Sequence, residues 1–465
     1  MKFIRSSLFD ILQLIFMKLF FSITLGILVI WSLIMGLTGL PASPDGRVKL
    51  VWVSDDNPAR RAQVDLFNQQ NTRACVTLDP ESSGKEKVVV QCLSGVGPDL
   101  LDIFDGFELT AFVKAGIALD ITKELEQRGI SIEHDTWNGT HTTALLDGRA
   151  YGFPRGACAD ALLFNKTLLD QKGLKPPGPF IKGDEFLKLA QALTIRDDHG
   201  RIRQFGFMFE WWQYGDFLRQ WHAQIYSDDG TRCLLDSPEA IAAIQYMYDL
   251  IWKYHVMPTP AEASALPSGG GYGSGKINMF GNGQAAMALA GRWWLVVLRN
   301  KDNFPELKFG VSECQFGPVR QYRAYCAVTA INRFSRHPDK ALDFLLYMAS
   351  PEYNNLINRQ ADSMGPIKKY SKSGIFLNAT NYPDEAYNSV WIETMERGIP
   401  DEVSPFVNGA AANRIITRQL DLVANNLKSP QEAMQTAAQL INEEIIKTVA
   451  SDPKLRKFYN ERIGR

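Results

Sequence analysis

Between Val48 and Phe104 the chain switches repeatedly between strand-like and helix-like apolar patterns. Val48 to Val53, VKLVWV, reads as a buried strand, and Asn57-Pro58 then opens a helix bearing Val64, Leu66 and Phe67. Ala74 to Leu78 is a second strand. A helix carrying Val88, Val89 and Leu93 comes next, then a break over residues 95–98 and a third strand, Leu100 to Phe104. A β-α-β-α-β order predicts a parallel sheet with helices on its faces. Ligands of such sheets bind beyond the carboxyl ends of the strands. That rule nominates Ser54, Asp55 and Asp56 after the first strand and Asp105 and Gly106 after the third.

The rest of the chain continues as α/β. Residues 129–147 read as an exposed polar connection and residues 175–179 as a rigid proline loop. A helix is expected over Asp184 to Leu193 and a strand over Phe205 to Phe209. The strand leads through Glu210-Trp-Trp-Gln-Tyr214 into a helix ending near Ile225. Ser237-Pro238 caps an amphipathic helix with Ile241, Ile244, Met247, Tyr248 and Ile251 at helical spacing. Further helices are predicted over residues 338–349, 351–360 and 431–449.

Residues Leu19 to Leu40 form 22 positions without a charge, with Lys2, Arg5 and Lys18 upstream against Asp10. At about 1.5 Å per residue the run reaches roughly 33 Å, enough to span a bilayer. The basic flank keeps the N-terminus cytoplasmic and places the chain beyond Leu40 outside the cell membrane. An uncleaved anchor is favoured over a cleaved signal peptide because the apolar core is long and residues 41–43 make a poor cleavage site. A buried core helix is a weaker third reading.

The balance of 50 Lys and Arg against 51 Asp and Glu argues against nucleic acid as a partner. Six cysteines (Cys75, Cys92, Cys158, Cys233, Cys314 and Cys326) permit disulfides in an exported chain, with buried free thiols as the alternative. Their spacing offers no zinc or thioredoxin-like motif, and the histidines form no metal cluster. No metal, cofactor or catalytic residue is expected. Residues 270–276 match the spacing of a phosphate loop, but Ile277 replaces the required Ser/Thr and no strand precedes it, so a flexible glycine loop is the better reading.

The stretch Asp147 to Leu174, DGRAYGFPRGACADALLFNKTLLDQKGL, resembles the first lobe-to-lobe crossing of family 1 extracellular solute-binding proteins, the capture subunits of ABC importers. Further motifs occur in the family's order. They are residues 66–71, Gly97-Pro-Asp99, residues 112–120, Phe280 to Met287 with Gly291-Arg-Trp-Trp294, the helices at 341–348 and 350–352, and Gly365-Pro366.

The resemblance implies an α/β two-lobe periplasmic-binding-protein fold with three interlobe crossings, beside the N-terminal transmembrane helix. Lobe one would comprise residues 46–155 and 326–364. Lobe two would comprise 156–325 and 365–465, with residues 1–45 as anchor and linker. It implies lobe closure on a small molecule, with a sugar or oligosaccharide preferred, and ABC permease subunits as partners. The chain would be periplasmic or extracellular, held by Leu19 to Leu40.

Sugar recognition needs aromatic plates beside hydrogen-bonding groups. Trp211, Trp212 and Tyr214 end a second-lobe strand, and Trp293 stands where the family places a stacking tryptophan after Arg292. Core packing is the competing role for each aromatic, and Trp294 is assigned to the core. Arg155, at the first crossing, is placed to pair with an aspartate or meet a hydroxyl. Asn408 precedes a helix start and completes the candidate set. Two other functions stay open: an exported carbohydrate-active enzyme using paired Asp55 and Asp105, and a ligand sensor for a membrane partner.

Overall fold

The computed structural model describes residues 16–32, 34, 45–80, 85–266, 272, 275–378 and 387–464. Two sheets, each with its own apolar core, make two lobes. The first sheet has strand order β2-β1-β3-β10-β4. Strands β1 (Val48–Val53), β2 (Ala74–Asp79) and β3 (Leu100–Ile103) run parallel, with Val48 opposite Ala74 and Trp52 opposite Leu100. The expected β-α-β-α-β unit is therefore present, its helices spanning Ala59–Gln70 and Lys85–Leu93. Strand β10 (Val328–Ile331) returns late in the chain and runs antiparallel between β3 and the edge strand β4 (Phe153–Pro154). Trp52 packs edge-on against Phe344 of the helix Pro338–Met348, ring centres 5.0 Å apart, at the heart of this lobe's core.

The second lobe is built on β5 (Cys158–Asn165), every residue of which is buried. β7 (Met287–Gly291) pairs with one edge, and β8 (Phe309–Gln315) and β9 (Tyr322–Tyr325) share the other. The short strands β6 (Phe180–Lys182) and β11 (Gly398–Ile399) extend the sheet beyond β8 and β9. Helices Pro238–Trp252, Gly409–Ala424 and Pro430–Ser451 cover it.

Three segments cross between the lobes and are laced together. Residues 155–157 join β4 to β5, residues 326–327 join β9 to β10, and residues 361–365 come after the helix Pro351–Gln360. Ala157 and Met364 exchange backbone hydrogen bonds at 2.9 and 3.0 Å, and the Arg155 N–H donates to the Ala327 carbonyl at 3.0 Å. Gly156 is required by this proximity: a Cβ there would lie 2.0 Å from the Ser363 Oγ. At the far side of the cleft the lobes touch again. Phe107 lies against Gly409, and the Lys114 amine donates to the Pro405 carbonyl at 3.2 Å.

Several local expectations need correcting. Residues 129–147 are not an exposed connection. Trp137 is buried and its indole N–H donates to the Gly365 carbonyl at 3.0 Å, while Thr136 and Thr140 are buried with their hydroxyls bonded to backbone carbonyls. Local hydrogen bonds let these polar residues enter the interior. Residues 205–209 pair only through bridges to Ala285 and Ala288, and the helix after Trp211–Gln213 ends at Gln220. All six cysteines are free thiols, five of them buried.

Residues 16–32 are helical with large apolar side chains from Phe16 to Trp31 exposed, so the buried-core reading of this run fails. Position 33 and residues 35–40 of the predicted anchor lie outside the described residues. Among the described residues, no helix is long and apolar enough to cross a membrane. Most of the glycine loop at 270–276 is also outside them.

Candidate functional site

A cavity of about 530 Å³ lies between the lobes, against the three crossings. Its hinge end is a charge cluster. Asp55, at the carboxyl end of β1, receives Arg155 Nη2 at 2.7 Å and Arg60 Nε at 3.0 Å. Arg60, in the first turn of the helix Ala59–Gln70, also pairs with Asp362 of the third crossing. Arg155 reaches back with Nε to Asp102 at 2.9 Å. Beside this ion pair, Asp102 accepts hydrogen bonds from the Trp52 indole at 2.9 Å, the Thr329 hydroxyl at 2.8 Å and the Ser54 hydroxyl. Burial pushes Asp102 up to about 7 despite these donors. The cluster ties β1, β3 and two crossings together, so the position of Asp55 is coupled to the hinge.

The second-lobe wall is aromatic. Trp212 and Tyr325 meet at 88° with centres 5.8 Å apart, and Trp293 and Tyr272 at 73° and 5.8 Å. The Trp293 indole N–H donates to the Tyr325 hydroxyl at 3.3 Å, joining the two pairs. Arg323 grips Asp401 through Nε and Nη2, and its guanidinium lies 5.7 Å from the Trp212 ring and 5.0 Å from the Tyr325 ring. Burial raises Asp401, but the Arg323 charge more than offsets it and holds the carboxyl below the usual range. Trp211 packs edge-on against Phe209 and borders the cavity beside Tyr214.

Seven nominated residues line this cavity: Asp55, Asp105, Arg155, Trp211, Trp212, Tyr214 and Trp293. Asp105 does so as the N-cap of the helix Gly106–Lys114, accepting the Glu108 N–H at 2.8 Å. Ser54, Arg292 and Asn408 are not among the lining residues. Ser54 turns its hydroxyl inward to Asp102, on the same side as Trp52 two residues before it. Arg292 is buried and donates to the Ser363 and Asn358 carbonyls at 2.8 and 3.0 Å. It clamps the third crossing beneath Trp293. Asn408 is exposed and caps the helix Gly409–Ala424 through the Ala411 N–H. Trp294 is buried in the core, as assigned. Sequence reasoning missed Arg60, Tyr325, Arg323, Asp362 and Asp401. Tyr325 and Asp362 carried a usable signal, since each adjoins or lies within a crossing, as Arg155 does.

Residues 53–355 match the model of the bacterial extracellular solute-binding protein family. The chain belongs to this family. A binding protein of Brucella abortus is 28% identical over 312 residues, 63% of this chain and 68% of its own. Among solved structures, this solute-binding protein resembles a Listeria monocytogenes ABC substrate-binding protein in complex with cycloalternan. The TM-score is 0.72 at 18% identity, covering 85% of this chain and 98% of that one. It also resembles maltose-bound MalE3 of T. maritima, with a TM-score of 0.68 at 19% identity, over 85% and 99% of the two chains. UgpB of Mycobacterium tuberculosis, in complex with glycerophosphocholine, matches with a TM-score of 0.69 at 16% identity, over 86% and 99%. At these identities the likeness establishes the fold: two α/β lobes around a cleft. The family is extracellular, and its function is capture of a solute.

Proposed function

We propose that the protein captures an uncharged carbohydrate in this cleft by lobe closure and passes it to an ABC importer. The supporting observation is the pairing of aromatic faces with polar groups whose charges are already met. Each arginine lining the cavity, Arg60, Arg155 and Arg323, is ion-paired with an aspartate of the same cavity. Such a wall offers stacking surfaces and hydroxyl partners, with no cation reserved for a phosphate. The cycloalternan and maltose carried by two structural relatives agree with this ligand class. Closure of a two-lobe receptor creates a surface that a permease distinguishes from the open form.

The same reading assigns residues 46–155 and 326–364 to lobe one, and 156–325 and 365–465 to lobe two. The exposed apolar helix at residues 16–32 belongs to a membrane anchor that holds the receptor on the outer face of the cytoplasmic membrane. No covalent step is invoked. The rival enzyme would use Asp55 and Asp105, yet Asp105 caps a helix and Asp55 is gripped by two arginines.

A thermal-shift screen against sugars, polyols and glycerophosphodiesters tests the proposal. A bound sugar at 100 times its dissociation constant adds about 2.7 kcal/mol of stability. A shift with the phosphodiesters alone overturns the carbohydrate assignment. Sugar turnover that disappears in Asp105→Asn overturns the receptor reading.

A further inference from the structure

Behind the aromatic wall lie two aspartates that do not line the cavity. Asp160, on β5, has donors on both oxygens: the Tyr325 hydroxyl on Oδ1 at 2.7 Å and the Gln213 amide on Oδ2 at 2.6 Å. Asp216, in the helix Tyr214–Gln220, accepts the Arg323 backbone N–H on Oδ1 at 3.1 Å. Its Oδ2 is buried without a donor. Both residues are fully buried and their carboxyls are in hydrogen-bonding contact. Ionised carboxylates only accept, so two of them in such contact require a proton between them.

The surroundings favour keeping that proton. Arg323 is the guanidinium facing the pair, and it is already committed to Asp401, so one cation serves three carboxyls, two of them buried. Tyr325 and Cys158 also face Asp160; burial raises both above their usual range, which keeps them neutral. Glu210 adds a further acid nearby, accompanied by Lys276. Burial pushes both aspartates up, and the Asp160 charge pushes Asp216 further.

We propose that Asp160 and Asp216 share one proton, and that this bridged pair positions the binding wall. Asp160 aims the Tyr325 hydroxyl, which in turn receives the Trp293 indole N–H. Asp216 fixes β9 at Arg323, whose guanidinium lies near the Trp212 and Tyr325 rings. Removing the proton places two like charges in contact in a dry site. The relief is to part the helix Tyr214–Gln220 from β5, which carries the Trp211–Gln213 turn and Trp212 with it. These aspartates are positioning residues, and the inference holds whichever solute the cleft accepts.

Infrared difference spectroscopy of the full chain without solute tests it. At neutral pH the wild type minus Asp216→Asn spectrum should contain a protonated-carboxyl band, because the asparagine amide supplies an N–H in place of the bridging proton. Asp102 is common to both proteins and cancels. As pH rises, tryptophan fluorescence of the wild type should pass through a transition that Asp216→Asn lacks, beside the change from Asp102, bonded to the Trp52 indole, that both proteins share. Asp160→Asn, with its own amide facing Asp216, should also lose the band, and serves if Asp216→Asn folds poorly. Absence of the band from the difference spectrum, or identical pH profiles in wild type and variant, overturns the proposal.

Discussion

Replacing Arg155 by methionine keeps most of the stem and removes the charge that joins Asp55 and Asp102. The side chain is nearly buried, and its contacts to those carboxylates are 2.7 and 2.9 Å. Removing one partner of a buried pair costs about 3–5 kcal/mol, because the other charge is left desolvated. Arg60 still serves Asp55 and Asp362, so the loss falls mainly on Asp102, whose hydrogen bonds come from the neutral donors Trp52, Ser54 and Thr329. The penalty has a pH signature. Burial already raises Asp102 to about 7 from 3.8, and removal of the cation raises it further. A group raised in the folded state takes its proton back as pH falls, so the penalty is full above the variant's still higher value and vanishes as pH drops below about 7, where Asp102 is protonated in both folded proteins. Urea unfolding at about pH 5 and pH 8 measures this, with the slope required to stay constant. A loss under about 1 kcal/mol at pH 8, or a larger loss at pH 5, refutes the assignment of Arg155 as the hinge cation.

Trp293→Ala should weaken sugar binding by about 1–3 kcal/mol with the thermal midpoint of the free protein little changed, as calorimetric titration would show. Gly156→Ala should destabilise by about 1–3 kcal/mol by driving a methyl into Ser363, and Ser363→Gly should restore most of it. Gly409→Ala brings a Cβ within 2.4 Å of the Phe107 Cβ across the cleft. It should hold the lobes apart, lowering affinity and enlarging the radius of gyration by X-ray scattering.

Local patterns carried the first lobe. The β-α-β-α-β alternation pointed to Asp55 and Asp105, which line the cavity, because the carboxyl-end rule depends on chain direction alone. The rule could not separate Asp55 from Ser54, since facing depends on which side of the sheet is covered. Family resemblance supplied Trp293 and the first crossing. What stayed hidden were pairings between distant residues: Arg60 with Asp362, Arg323 with Asp401, and Asp160 with Asp216. The first two need elements brought together by the late return of β9 and residues 361–402, and the third needs the helix Tyr214–Gln220 to come up against β5. Charge patterning within one segment holds no trace of them. Arg292 misled for a related reason. An arginine beside a stacking tryptophan resembles a ligand contact, but here its partners are the carbonyls of a crossing.

The central claim is that an uncharged sugar sits between the lobes against Trp212 and Trp293. Isothermal titration of the full chain with glucose, maltose, maltotriose, maltotetraose and mannobiose tests it most directly, alongside the Trp212→Ala, Trp293→Ala double variant. Saturable binding of at least one sugar, lost in the folded double variant, is the predicted result. Binding that survives the double substitution, or no heat with any of these sugars, would contradict the account.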